Sequence, residues 1–236
     1  MEASDFTGHI SRRFNRDIED LRNSVLAMGG LVENQLSKAV SAIISGDSEL
    51  GLRVANDDYM VNDLEVSIDE ECGRILVTRA PAAGDLRLIV AILKTITDLE
   101  RIGDEAEKIG YLASQLAAMD RPSDSYVELR NLGDQVSMML KSAIDALARL
   151  DVDAAFDVAR QDERVDEEYD AITRQCIARM MEDPLSIKRF MNVTWAARSL
   201  ERIGDHAKNI CEYVIYMVQG RDVRHTQMDP ELSKEE

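Results

Sequence analysis

The eleven residues LERIGDEAEKI at 99–109 return as LERIGDHAKNI at 200–210, identical at eight positions. They belong to a longer register that constrains the fold more than any other feature of the chain. A shift of 104 residues superimposes Gly29 on Gly133, Val32 on Val136, Leu36 on Leu140 and Asp47 on Asp151. The same shift pairs Val54 with Val158, Asp58 with Asp162, Val61 with Val165 and Cys72 with Cys176. Beyond Pro81 and Pro184 the shift becomes 101, because the second loop is shorter, and it then aligns the two LERIGD copies. The chain is therefore two tandem units built on one plan, each a supersecondary unit that buries its apolar face against a neighbour.

Within each unit the apolar residues keep helical time. Phe14, Ile18, Leu21, Val25, Met28, Val32, Leu36, Ala39 and Ile43 step by threes and fours along one face. The stripe stops at Gly46-Asp47, and Asp47 is a good N-cap for a second helix running to about Thr78. Pro81 and Gly84 break the chain before a third helix, from about Asp85 to Met119. Pro122 and Pro184 also fall at junctions and Pro230 in a polar tail, so no proline interrupts a helix interior, where its ring would clash. Good helix formers dominate and aromatics are only 5%. The expected fold is all-α: six helices forming two tandem, repeat-related three-helix bundles, over residues 1–120 and 121–220, with 221–236 a polar, flexible tail. Gly29 and Gly133 inside helices are expected to permit close crossings, with a hinge as the alternative, and Met138-Met139 and Met180-Met181 to fill the core rather than form a binding surface.

A net charge of -17 argues against nucleic acid, whose binding needs a basic face, and would also repel anionic headgroups and free phosphate. No apolar run is long enough to span a bilayer, so direct membrane insertion is not expected, and no signal peptide opens the chain. The three cysteines form no C-x-x-C pair. They fit packing in a reduced, cytoplasmic protein.

The charged residues of the repeat carry the chemistry. On the third helix Glu100, Asp104 and Glu107 share a stripe beside the core positions Leu99, Ile102, Ala106 and Ile109, with Gly103 between the stripes and Arg101 on the far side of Asp104. On the sixth helix Glu201, Asp205 and Glu212 take the acidic stripe, but Lys208 replaces Glu107. Like charges four residues apart cost a helix about 0.2–0.5 kcal/mol, and here the cost recurs at matched positions beside a glycine. The second helix adds Asp58, Asn62, Glu65 and Asp69 on one face; the second copy keeps Asp162 and Asp166 but has Tyr169 and Thr173 thereafter. Oxygen donors of this kind suit hard cations. His206 faces away from the stripe, and His9 and His225 lie near the termini. No Walker loop, H-E-x-x-H, G-x-S-x-G or ferritin-like E-x-x-H pair is present.

The duplicated E-R-I-G-D helix, the segment DDYMVNDLEVSIDE and the PAAGDLR lead into the third helix strongly resemble the PhoU family, over nearly the whole chain. The resemblance implies two three-helix bundles with metal ions on one face, held by Glu100 and Asp104 in one unit and Glu201 and Asp205 in the other, with Asp58, Asn62, Asp162 and Asp166 as helpers. The ion would be divalent or trivalent: iron, Mn, Mg or Zn. It implies no enzyme, but a negative regulator of the phosphate-starvation response and a modulator of phosphate uptake. Such a protein is an adaptor between the Pst phosphate ABC transporter, through its ATPase subunit, and the PhoR sensor histidine kinase. It would be a homodimer, peripheral at the cytoplasmic face of the inner membrane. The second unit reads PLSIKR where the first reads PAAGDLR, and its acidic stripe is thinner. The alternatives are a carboxylate-metal enzyme such as a phosphohydrolase, and a helical scaffold whose acidic faces are merely solvated.

Overall fold

The computed structural model describes residues 12–119 and 126–223. Pro122, Pro230, His9, His225 and residues 224–236 of the expected tail lie outside them. The first unit contains α1 (Arg12–Ser45), α2 (Ser48–Asp57), α3 (Tyr59–Arg79) and α4 (Ala83–Ala117). The second contains α5 (Val127–Arg149), α6 (Val152–Ala159), α7 (Asp162–Glu182), a short 3-10 turn at Pro184–Ser186, and α8 (Ile187–Gln219). The fold is all-α and the repeat holds throughout. Asp47 and Asp151, equivalent by the shift, cap α2 and α6 by accepting from Leu50 N at 2.9 Å and Ala154 N at 3.0 Å.

One expectation is refined. The second helix of each unit is not one rod but two, broken at Asp58 in the first copy and at Arg160-Gln161 in the second. At the first break Val61 N donates to Asp58 O over 2.8 Å, and at the second Arg164 N donates to Gln161 O over 3.1 Å. Both are i→i+3 bonds, which tighten the turn and shift the helix axis just before the acidic residues of α3 and α7.

Helices α1, α4, α8 and α5 form the centre of the molecule, with α2–α3 laid on α1 and α4, and α6–α7 on α8 and α5. One continuous apolar cluster runs through both units, including Met28, Leu36, Leu99, Ile102, Leu132, Leu140 and Ile203. Helices α4 and α8 pack antiparallel: Lys94 lies 5.6 Å and 5.4 Å from the ring centres of Tyr213 and Tyr216, while Asn192 donates to Gln115 over 3.2 Å at the other end. Burial pushes the Cys72 and Cys211 thiols up to about 12, which suits inert packing in the core.

Two helix crossings are set by glycine. A Cβ on Gly29 would meet Ile144 at 3.3 Å, and one on Gly133 would meet Val40 at 2.8 Å. Val40 and Ile144 are themselves equivalent by the 104-residue shift, so the α1–α5 contact repeats itself about a pseudo-two-fold axis. Tighter still is the α2–α4 crossing, where a Cβ on Gly51 would lie 2.5 Å from the carbonyl oxygen of Gly110, and the reverse distance is also 2.5 Å. The second unit has Ala155 and Cys211 at these positions, so its α6–α8 crossing carries side chains. The methionine pairs divide: Met139 is buried but Met138 is 69% exposed, and Met181 is 80% exposed, so only one of each pair serves the core.

Candidate metal site

The break before α3 turns Asp58 inward, where it is buried against α4 and α1. A Cβ at position 103 would lie 2.9 Å from Asp58 Oδ1, so Gly103 supplies the room that the Asp58 carboxylate occupies. Asp58 Oδ1 accepts from Gln35 Nε2 of α1 at 2.8 Å, and Oδ2 accepts from Asn62 Nδ2 at 3.3 Å. Helix α4 brings Asp104 and Glu107 to the same place, so that oxygens of Asp58, Asp104 and Glu107 all lie within 4.8 Å of one another.

The chemistry of this group suits a cation. Gln35 is 6% exposed, yet its Oε1 has no hydrogen-bond partner and lies 3.5 Å from where a Gly103 Cβ would stand. A buried amide oxygen left unpaired costs about 1–3 kcal/mol, and a bound cation would satisfy it. Burial, then the charge of Asp58 and Asp104, raises the pKa of Glu107. Burial, then Asp104, raises that of Glu100, with Glu65 and Asp58 adding to it. Glu65 is raised in the same way, by burial and then Asp69, with Asp104 adding. Three carboxyls pushed up together mark a concentrated negative field at a half-buried surface. Carboxylate and amide oxygens fit Mg²⁺, Mn²⁺ or iron.

Of the residues expected from sequence, Asp58 and Asp104 are brought together directly. Asn62 holds Asp58 by hydrogen bond, and Glu100 stands one turn along α4, within the same field. Glu107, on the stripe but outside the expected ligand set, joins the central group. Arg101 does not project away: its guanidinium folds back to 3.4 Å from both Glu100 and Asp104, partly neutralising the outer edge.

The second stripe is arranged differently. Asp162 and Asp166 of α7 face Glu201 and Asp205 of α8, and Asp162 is buried. Here Lys208 reaches across and donates from Nζ to Asp162 Oδ2 at 2.6 Å. Burial opposes the Lys208 charge, but the bond to Asp162 together with the charges of Asp162, Glu212 and Asp205 outweighs it and its pKa rises. The position equivalent to Gln35 is Met139, so this position offers no amide oxygen to the second stripe. Glu201 pairs with Arg198, while its Oε2 and Asp162 Oδ1 remain without partners.

Burial, then the charge of Asp205, pushes Glu201 up to about 7. A carboxyl whose pKa is raised in the folded state holds its proton after the unfolded chain has lost it. Stability then falls as pH rises from its ordinary value toward about 7. Glu201→Gln is expected to remove this component: melting temperature measured from pH 5 to 8 should decline less in the variant, and parallel curves would refute the assignment.

Between the units lies a polar clasp that the sequence did not reveal. Buried Asp98 of α4 is 2.6 Å from His206 Nδ1 and accepts from Asn209 Nδ2 at 3.0 Å. Glu105, also buried, pairs with Arg202 at 2.5 Å and Lys108 at 3.0 Å. His206 thus faces away from the acidic stripe, as its spacing indicates, because it faces the other unit.

Comparison with known proteins agrees with this architecture. The family model described as the PhoU domain matches twice, over residues 25–113 and 129–214. The chain is 52% identical over 225 residues to the phosphate-specific transport system accessory protein PhoU homolog of Pseudomonas aeruginosa, covering 95% of this chain and 93% of that one. It is 45% identical over 234 residues to the phosphate-specific transport system accessory protein PhoU of Escherichia coli (strain K12), covering 99% and 96%. The crystal structure of PhoU from Pseudomonas aeruginosa superimposes with a TM-score of 0.86 at 52% identity, over 88% of this chain and 100% of that one. The phosphate transport system regulatory protein PhoU from Streptococcus pneumoniae gives 0.82 at 30% identity, over 89% and 99%.

Proposed function

The chain belongs to the PhoU family, and from that premise we propose that it is an accessory regulator of phosphate-specific transport. It holds the phosphate-starvation response off when phosphate is plentiful and restrains uptake. It does so as a metal-containing adaptor between the Pst transporter, at its ATPase subunit, and the PhoR sensor kinase. The observation that carries the reading is the match of both units, over nearly the full length, to relatives named as phosphate-specific transport system accessory proteins. Those names describe accessory proteins and not enzymes. Among the described residues no helix is long and apolar enough to cross a membrane, which suits attachment to a transporter through protein contacts. As a homodimer the adaptor would present its surfaces in pairs.

The site has a natural part in this reading. With a net charge of -17 the chain repels a free anion, so phosphate status must reach it through a metal ion or a partner. Asp58, Asp104 and Glu107 would hold the ion, supported by Gln35, Asn62 and Glu100. The ion would supply positive charge at the surface of the first unit, where a partner's acidic group or a phosphate could ligate it.

Deleting the gene is expected to switch on a phosphate-starvation reporter in phosphate-rich medium. Complementation by the wild-type chain should restore repression. Complementation by Glu100→Ala/Asp104→Ala, folded by circular dichroism, should not. A reporter that stays silent on deletion would rule out the regulatory reading; full repression by the double variant would separate the metal from it.

A further inference from the structure

We propose that Lys208 is the resident cation of the second acidic stripe, standing where a metal ion stands in the first, so that this chain carries metal in one unit only. The inference deepens the metal reading given above and is tested separately from it.

Positions 107 and 208 correspond by the 101-residue shift. Glu107 contributes an acceptor to the group with Asp58 and Asp104. Lys208 instead delivers an ammonium to Asp162, the equivalent of Asp58, at 2.6 Å. The exchange reverses the sign of charge at the centre of the site and adds a tethered donor that no free ion must diffuse to replace. A second exchange works in the same direction. The first unit keeps a buried amide, Gln35, bonded to Asp58 with its oxygen unpaired, whereas the second has the buried thioether of Met139. Hard cations want several oxygens and discriminate against thioether sulfur. For an ion to enter the second stripe it would have to break a partly buried charge-assisted bond and do without the amide oxygen of the first unit.

Asp162 Oδ1 and Glu201 Oε2 are buried and without partners. Removal of the lysine would add Asp162 Oδ2 to the oxygens open to an ion, on carboxylates that are already largely desolvated. Lys208 thus keeps latent a site that its repeat partner leaves open.

The test is Mn²⁺ binding by calorimetry, with elemental analysis after dialysis, on the full chain stripped with chelator. Four proteins suffice: wild type, Glu107→Lys, Lys208→Met and Lys208→Gln, the last a polar variant in case methionine disturbs folding. Glu107→Lys is expected to abolish wild-type uptake. Lys208→Met and Lys208→Gln are expected to gain about one further Mn²⁺ per chain. That gain should disappear on adding Asp205→Asn. Mn²⁺ retained by Glu107→Lys, or no gain in either folded Lys208 variant, would overturn the proposal. A wild type that takes up no Mn²⁺ while the Lys208 variants do would defeat the metal reading of the first unit, and with it metal in one unit only, and would leave the assignment of Lys208 as the cation of the second stripe.

Discussion

Gly110→Cys, which gives the first unit the residue its twin carries at the same position, is expected to lower the melting temperature by roughly 6–12 °C. The reason is the α2–α4 crossing, where an added Cβ would stand 2.5 Å from the carbonyl oxygen of Gly51. A flexible side chain could turn away from such an intruder, but a backbone carbonyl moves only with its helix. Helix α2 has 10 residues, is capped by Asp47, and rests on α4. It must lift away and loosen the packing of Val54, which is 3.2 Å from the same Cβ. Overpacking of this kind costs about 1–3 kcal/mol, and a backbone clash belongs at the upper end. In a protein of this size each kcal/mol moves the midpoint by about 2–4 °C. Gly73 offers the contrast, for a Cβ there would meet nothing within 4 Å. Gly73→Ala is expected to stabilise by about 0.5–1 kcal/mol through helix propensity. Opposite signs for the two substitutions in thermal unfolding would establish the crossing; equal and small shifts would refute it.

Asp104→Ala is expected to weaken Mn²⁺ binding by more than about 100-fold while changing stability little. Loss of a supporting group around a metal typically costs 10–100-fold, and Asp104 is a direct ligand candidate rather than a support. Its side chain is 27% exposed, so its removal leaves no large buried void. Gln35→Leu addresses the support: affinity should fall by about 10–100-fold because Asp58 loses its amide partner and the ion one oxygen. The pair distinguishes a built site from a diffuse acidic face, on which removing a buried, uncharged amide would change little. Calorimetric affinities for the two variants within threefold of wild type (roughly 0.7 kcal/mol) would place the ion elsewhere.

Much of the fold was legible because repetition doubles every weak signal. A 3.6-residue stripe, an Asp cap and a proline junction each recur at matched positions. The acidic stripe of α4 was equally visible, and so was its thinning in α8. What escaped the sequence are partners chosen by packing across distance. Gln35 occupies a helix whose neighbours Val32 and Leu36 are core, and only a polar residue in an apolar stripe hinted at its role. It meets Asp58 across 23 residues of chain. In the sequence Lys208 is only a missing acid, for its ion pair with Asp162 depends on how α7 lies along α8. The break at Asp58 hides in a continuous apolar pattern, since a single tightened turn barely disturbs periodicity. Helical angle alone puts Arg101 beyond Asp104, but its long side chain bends toward the nearest opposite charges, Glu100 and Asp104. The clasp of Asp98, Glu105, Arg202 and His206 joins two units whose relative placement no local pattern encodes.

The mutual contacts Gly29–Ile144 and Gly133–Val40 have the form of an interface between two identical subunits, now enclosed in one polypeptide. In a dimer of identical chains every substitution is made twice, so an amide cannot be installed beneath one site without appearing beneath the other. Covalent fusion lifts that restriction. Only in a fused chain can Gln35 have Met139 as its counterpart, or Glu107 have Lys208, within the same two-fold frame. The inherited symmetry keeps the scaffold, while its two copies of one site are free to take up different chemistry.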